Sequence, residues 1–102
     1  MIRNPMLFGS GGGGTVTVKF KYNTGSSGTT GTIYYTEDGE LKTVSCGSAL
    51  VSAVTKTMNA DSKSLLFIQF TSSIRNYSVT QGGTIIKENN VSSGATVIIQ
   101  AD

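Results

Sequence analysis

The sequence predicts an all-β protein, an antiparallel β-sandwich of about seven short strands. The β-branched residues Val, Ile and Thr number 30 among the 102 residues, and these residue types favour strands. Short apolar stretches alternate with turn-forming residues about every 8–12 positions, a spacing typical of strands in a sandwich. No long stretch has the 3.6-residue periodicity of an amphipathic helix.

The chain divides into an N-terminal extension and one folded domain. Residues 1–14 are an apolar tip followed by a glycine-rich tether, and residues 15–102 form a single β-sandwich domain. Three large apolar side chains, Met6, Leu7 and Phe8, stand ahead of the tether. Docking on a partner would bury them, so we predict that they bind a neighbouring subunit. The alternative is a frayed terminus without a role.

The first strand has the clearest pattern in the chain. In residues 15–22, the apolar side chains Val16, Val18, Phe20 and Tyr22 alternate with Thr and Lys. This period of two predicts a strand with one buried face.

A β-hairpin is predicted next. Residues 32–36 and 41–46 flank an Asp-Gly pair, which is a strong hairpin signal. A two-residue turn would place Glu37 opposite Glu40, and like charges directly opposite each other are unfavourable. We therefore favour a three-residue loop with Gly39 in the left-handed conformation.

Residues 47–59 are ambiguous. Leu50, Val54 and Met58 are four residues apart, which fits one face of a helix and equally one face of a strand. The β-branched residues of this stretch favour a strand, so a strand is predicted and a helix stays open.

Four later strands are predicted at residues 64–70, 75–80, 84–88 and 95–100. The first of these is apolar on both faces. That pattern indicates a central strand, or a strand whose outer side is covered by a partner.

The composition speaks against an enzyme. The chain has no His and one Cys, so it cannot by itself supply a Ser-His-Asp triad or an internal disulfide, and it lacks the usual zinc ligands. Glu37, Asp38 and Glu40 cluster at the predicted hairpin tip, where turn formation and solubility explain them. We predict no enzymatic activity, no cofactor, no metal site and a buried Cys46.

The charges and the apolar stretches limit the classes of partner. The net charge is +2 and charged residues make up 14% of the chain. The basic residues are scattered, so no specific nucleic-acid binding is predicted. The longest strongly apolar stretch, residues 65–68, is too short to cross a membrane as a helix, so no membrane insertion is predicted. Residues 1–8 lack the apolar run of a signal peptide, so we expect the chain to leave its compartment only within a larger particle.

Tyrosine side chains suggest a second kind of partner, because aromatic rings stack on sugars. Tyr22 and Tyr35 are predicted to point inward by parity, which leaves Tyr34 as the best outward candidate for glycan binding. Pairing with a neighbouring strand is the ordinary role of such a tyrosine and is favoured here.

Two passages near the C-terminus carry a family resemblance. Residues 83–87 (GTIIK), followed by residues 91–99 (VSSGATVII), resemble the closing hairpin of bacterial and phage immunoglobulin-like domains, which often end on a Ser-Gly-x-Thr-Val run. The whole plan is similar to that of small virion proteins of tailed phages, with an apolar tip, a glycine-rich tether and a Ser/Thr-rich β-domain. The resemblance covers residues 15–102 in pattern, and no catalytic or binding residue is carried over.

The resemblance implies an immunoglobulin-like sandwich without enzymatic activity. It implies a homo-oligomeric structural protein that decorates a capsid or forms part of a tail, neck or fibre, and that binds other virion subunits. The chain would be made in the host cytoplasm and located in the virion. The alternative is a carbohydrate-binding or adhesive immunoglobulin-like module that uses Tyr34 and the loop of residues 23–31 on a host glycan.

Overall fold

The computed structural model describes residues 14–81, 84–90 and 95–102. Within these residues the chain forms eight β-strands and no helix. In chain order they are β1 (Thr15–Thr24), β2 (Gly31–Glu37), β3 (Glu40–Cys46), β4 (Val54–Asp61), β5 (Leu65–Phe70), β6 (Ile74–Gln81), β7 (Thr84–Asn90) and β8 (Thr96–Gln100). No helix in the described ranges is long and apolar enough to cross a membrane.

The strands form two four-stranded sheets. Sheet A has the order β4-β1-β6-β7 and sheet B has the order β3-β2-β5-β8. Every pair of neighbouring strands is antiparallel. The predicted antiparallel β-sandwich is confirmed. This strand order does not establish the immunoglobulin-like subtype, which stays a prediction. β1 lies in the interior of its sheet. The first strand of a constant-type immunoglobulin sandwich lies at an edge.

The core lies between the inner faces of the two sheets. Along β1, Val18, Phe20 and Tyr22 are fully buried, as their alternation predicts. The ring of Phe20 stacks on Tyr22 at 5.6 Å and on Tyr77 at 5.7 Å, measured between centroids. Phe70 of sheet B contacts Tyr22 at 5.1 Å. This aromatic cluster joins the sheets, since rings at these separations add to the energy of simple burial.

The β2–β3 hairpin has a two-residue turn, so the predicted three-residue loop is wrong. Asp38 and Gly39 both have positive φ angles, 54° and 80°, and Glu37 pairs directly with Glu40. Two left-handed residues match the right-handed twist of the flanking strands. The carboxylate of Asp61 also accepts hydrogen bonds from the turn amides of Asp38 (2.7 Å) and Gly39 (3.0 Å). The geometry of the turn thus outweighs the like-charge pair.

Residues 47–59 are only partly a strand. β4 begins at Val54, and residues 47–53 form a loop rather than a helix. This loop carries the chain from β3 in sheet B to β4 in sheet A, so it cannot continue either strand. Buried Ala49 fixes the loop, because its N–H donates to Oγ1 of Thr24 (2.9 Å) and its carbonyl accepts from the N–H of Thr24 (3.0 Å).

The prediction that residues 64–70 contain a central strand is confirmed. The strand lies between β2 and β8 and is therefore central in sheet B. Leu66, Ile68 and Phe70 point into the core, while Leu65 and Phe67 point outward and are exposed.

The first and last described residues lie at one end of the sandwich. The N–H of Ser62 donates to the carbonyl of Gly14 (3.0 Å), and the hydroxyl of Ser62 donates to the carbonyl of Asp102 (2.7 Å). The buried side chain of Gln81 donates to the carbonyl of Gln100 (3.1 Å) and accepts from the N–H of Asp102 (2.7 Å). We call this the terminal end, and it is where residue 14 leads into sheet A.

Candidate functional site

The outer face of sheet B is the surface that best fits a binding site. Its four strands each place three side chains outward, as the cross-strand pairing shows. These outward residues are Thr32, Tyr34 and Thr36 on β2, Leu41, Thr43 and Ser45 on β3, Leu65, Phe67 and Gln69 on β5, and Thr96, Ile98 and Gln100 on β8. We call this set the outer B face.

Large apolar side chains form a row across the middle of the outer B face. Tyr34 pairs with Phe67, and Phe67 pairs with Ile98 on the other side. Their exposed fractions are 40%, 37% and 50%. The rings of Tyr34 and Phe67 are 6.1 Å apart and inclined at 45°. Leu65, two residues before Phe67, extends the row along β5 and is more than half exposed.

The outer B face carries no ionisable Asp, Glu, Lys or Arg side chain. The outer face of sheet A differs, since β1 presents Lys19 and Lys21 there. Depletion of charge together with exposed aromatic residues is the composition of the centre of a protein–protein interface. An apolar patch rimmed by polar residues also marks interaction surfaces in general.

The described part of the chain offers little for chemistry. It holds no group of three or more His, Cys, Asp or Glu side chains that could bind a metal ion. The outer B face presents hydroxyls, amides and apolar groups, and none of these is paired with a base.

Cys46 is buried, as predicted, and lies in the core cluster near Tyr22. Burial is the main cause that raises the pKa of the Cys46 thiol, against a smaller lowering by Lys56. The pKa of Tyr22 is raised to about 12, first by burial and then by Cys46. The hydroxyl of Tyr22 donates to the carbonyl of Gly47 at 2.7 Å. Both groups therefore keep their protons at neutral pH, and neither is an activated nucleophile.

The predicted site residues have different outcomes. Tyr34 points outward, and Tyr22 points inward, as predicted. Tyr35 is half-buried and packs against the core. Met6, Leu7 and Phe8 lie outside the described residues, as do residue 83 and residues 91–94 of the resembling passages.

Sequence reasoning missed most of the outer B face. The sequence places Phe67, Leu65 and Ile98 in strands but in no site. The signal that could have found them is the apolar pattern on both faces of β5, which indicates a covered outer side. It does not identify the neighbours, because Ile98 and Tyr34 reach Phe67 through pairings with distant parts of the chain.

Comparison of the chain with protein-family models, with curated proteins and with solved structures gave no match.

Proposed function

We propose that this chain is a non-catalytic structural protein of a virus particle and that it acts by binding neighbouring subunits. The observation that carries the proposal is the uncharged, partly apolar outer B face. The assignment to a tailed-phage virion and to the immunoglobulin-like class comes from the resemblance in residues 83–99 and from the plan of the chain. On this proposal the protein is made in the host cytoplasm and works in the virion as a capsid decoration or a tail, neck or fibre component.

The physical support is the gain from covering the apolar row. Tyr34 and Phe67 are the aromatic members of the row, and aromatic residues near the centre of an interface contribute most to affinity. Each Å² of apolar surface removed from water stabilises a complex by about 25 cal/mol before the costs of association. The rim of Thr, Ser and Gln side chains can donate and accept hydrogen bonds to a partner without the desolvation of a charge.

The N-terminal tip supplies a second contact on this proposal. The tether precedes β1 of sheet A. At the terminal end, the N–H of Ser62 donates a hydrogen bond to the carbonyl of Gly14. Phe8 precedes Gly14 by six residues in the sequence. Met6, Leu7 and Phe8 would therefore bind a neighbouring subunit near the terminal end.

Mass spectrometry of particles sedimented from the producing cells tests the proposal. We expect peptides of this chain in the purified particles, at many copies relative to a single-copy component. The absence of the chain from particles that contain the other structural proteins would show the proposal to be wrong.

A matched set of variants tests the contribution of the tip. Replacement of Met6, Leu7 and Phe8 by Ser removes the apolar side chains and leaves the described domain unchanged in sequence. We expect a folded protein with reduced incorporation into particles. Replacement of Ser27 and Thr30 by Ala is the control, because these exposed residues lie in the β1–β2 loop, at the end of β1 remote from Thr15.

The Tyr34–Phe67 pair also favours one second candidate, glycan binding by an adhesive module. Two exposed rings on one face are a platform on which a sugar ring can stack. A glycan array tests it, with Tyr34→Ala as the variant. A hit that Tyr34→Ala abolishes would favour this candidate, and an array without hits would remove it.

A further inference from the structure

The outer B face is complementary to itself, and we propose that it binds the same face of a second copy of this chain. The inference rests on the proposed function, since it names one of the subunits that the protein binds. The partner is a second copy related by a twofold axis, which is the commonest symmetry of soluble oligomers.

Charge distinguishes this face from the opposite one. The outer B face has no ionisable Asp, Glu, Lys or Arg, so two copies meet there without like-charge repulsion. The outer face of sheet A would bring Lys19 and Lys21 of one copy toward the same lysines of the other. Like charges brought together at an interface cost several kcal/mol. A strongly charged partner gains nothing from the outer B face, whereas a second copy presents a surface of the same polarity.

The order of side chains fits a twofold axis. Tyr34 and Phe67 are direct cross-strand neighbours on β2 and β5, the two central strands of sheet B. An axis between them places Tyr34 of one copy over Phe67 of the other, and the symmetric contact repeats this pair. Both contacts then join two aromatic rings, which prefer offset or edge-to-face packing. Sheets that pack face to face are about 10 Å apart, a distance that outward side chains from both copies fill.

The size of the face sets the expected strength. Four strands about 4.8 Å apart and about five residues long give a flat footprint of roughly 300 Å². The side chains that stand on this footprint expose more accessible surface than the footprint itself, and a stable interface buries about 800 Å² of accessible surface on each partner. The face is therefore at most of ordinary size and has no ion pairs, so we expect a modest affinity and a dimer that depends on protein concentration. Repetition of such contacts among many subunits, or the added contact of the N-terminal tip, strengthens an assembly without a larger face.

Sedimentation velocity of the full chain tests the inference, at concentrations from about 10 μM to about 1 mM, the range in which a small interface assembles. We expect the sedimentation coefficient to rise with concentration from monomer to dimer. Phe67→Lys and Tyr34→Glu should each shift the midpoint at least tenfold upward, because each buries two charges of like sign close to the twofold axis. The control is Thr57→Lys, an exposed position on the outer face of sheet A, and it should leave the midpoint unchanged.

A mixture of the two variants supplies a second measurement that loss of folding cannot imitate. In a dimer of one Phe67→Lys chain and one Tyr34→Glu chain, one contact becomes an ion pair and the other keeps its Tyr–Phe pair. We expect the equimolar mixture to dimerise at lower concentration than either variant alone. Fluorescent labels on the two chains report this heterodimer directly.

Three outcomes overturn the inference. The first is a wild-type chain that stays monomeric throughout the concentration range, and the second is a dimer that Phe67→Lys does not weaken. The third is a mixture that dimerises no better than its components. If the chain is nevertheless present in particles, the proposed function stands and the self-pairing alone is wrong. If the chain is also absent from particles, both are wrong.

Discussion

Gly31 on β2 lies directly against the ring of Phe70 on β5. The two residues are cross-strand partners in sheet B. A Cβ atom on residue 31 would lie 2.6 Å from Cδ2 and 2.7 Å from Cγ of the ring, and 2.8 Å from the carbonyl oxygen of Gln69. The missing side chain therefore makes room for a ring of the aromatic cluster. Phe70 fills this space and contacts the rings of Tyr22 and Phe20 on sheet A.

Gly31→Ala should destabilise the domain by about 1–3 kcal/mol, since an added methyl group forces the packed ring or the backbone to move. Urea denaturation measures the change. Gly28→Ala is the control, because nothing lies within 4 Å of a Cβ at that position, and it should change stability by less than about 0.5 kcal/mol. Equal effects of the two substitutions would contradict the prediction.

Glu37→Thr should raise the stability of the domain. Glu37 and Glu40 are paired directly across the two-residue turn. Like charges in this position are destabilising, and their removal is expected to contribute about 0.2–1 kcal/mol. Thr also favours a strand. The free energy of unfolding at neutral pH measures the effect, and high salt should reduce the part of it that comes from charge repulsion. A loss of stability would show that Glu37 makes a contact more favourable than the repulsion.

Asp61→Ala should loosen the tip of the β2–β3 hairpin. The carboxylate of Asp61, at the end of β4, accepts hydrogen bonds from the amides of Asp38 and Gly39. Hydrogen bonds to a charged acceptor are the stronger class, but these are exposed, so we expect a loss of about 1 kcal/mol. Amide hydrogen exchange at Gly39 should become faster.

The matched control for Asp61→Ala is Asn59→Ala on the same strand. The side-chain oxygen of Asn59 accepts an exposed hydrogen bond from the hydroxyl of Thr17 at 3.1 Å, and Asn59 makes no hydrogen bond to the turn. It should leave the exchange of Gly39 unchanged. Unchanged exchange in Asp61→Ala as well would mean that the turn does not depend on this carboxylate.

The sequence predicted the parts of the fold that depend on local pattern. Alternation along residues 15–22 placed Val18, Phe20 and Tyr22 in the core, where they are fully buried. The Asp-Gly pair located the hairpin. The turn length was wrong because the sequence shows the repulsion between Glu37 and Glu40, but not the distant Asp61 that binds the turn.

The candidate site was less predictable, because it depends on strand order. Tyr34 was identified as outward by its parity alone. Its neighbour Phe67 lies on β5, about thirty residues further along the chain, and parity does not reveal such a pairing. The same limit applies to residues 47–53, whose loop follows from a change of sheet rather than from residue type.

High pH should destabilise the domain through Tyr22. The pKa of this buried hydroxyl is raised from 10.0 to about 12, chiefly by burial and further by Cys46. Between these values the unfolded chain loses the Tyr22 proton while the folded chain keeps it. The unfolded state then binds fewer protons, so the free energy of unfolding falls as pH rises. The expected loss across this range is about 2 kcal/mol, and none arises from Tyr22 at lower pH. The raised pKa of Cys46 acts in the same direction and begins at lower pH.

Urea denaturation at several pH values up to about 12 measures this fall, with Tyr22→Phe as the matched variant. Tyr22→Phe lacks the ionising group and the hydrogen bond to Gly47. It should be less stable than the wild type at neutral pH by about 1 kcal/mol, and its stability should decline less steeply at high pH. The difference in tyrosinate absorbance between the two proteins follows the ionisation of Tyr22 itself. Parallel declines of the two proteins, or a Tyr22 that ionises near its ordinary pKa in the folded state, would show that burial does not hold this proton.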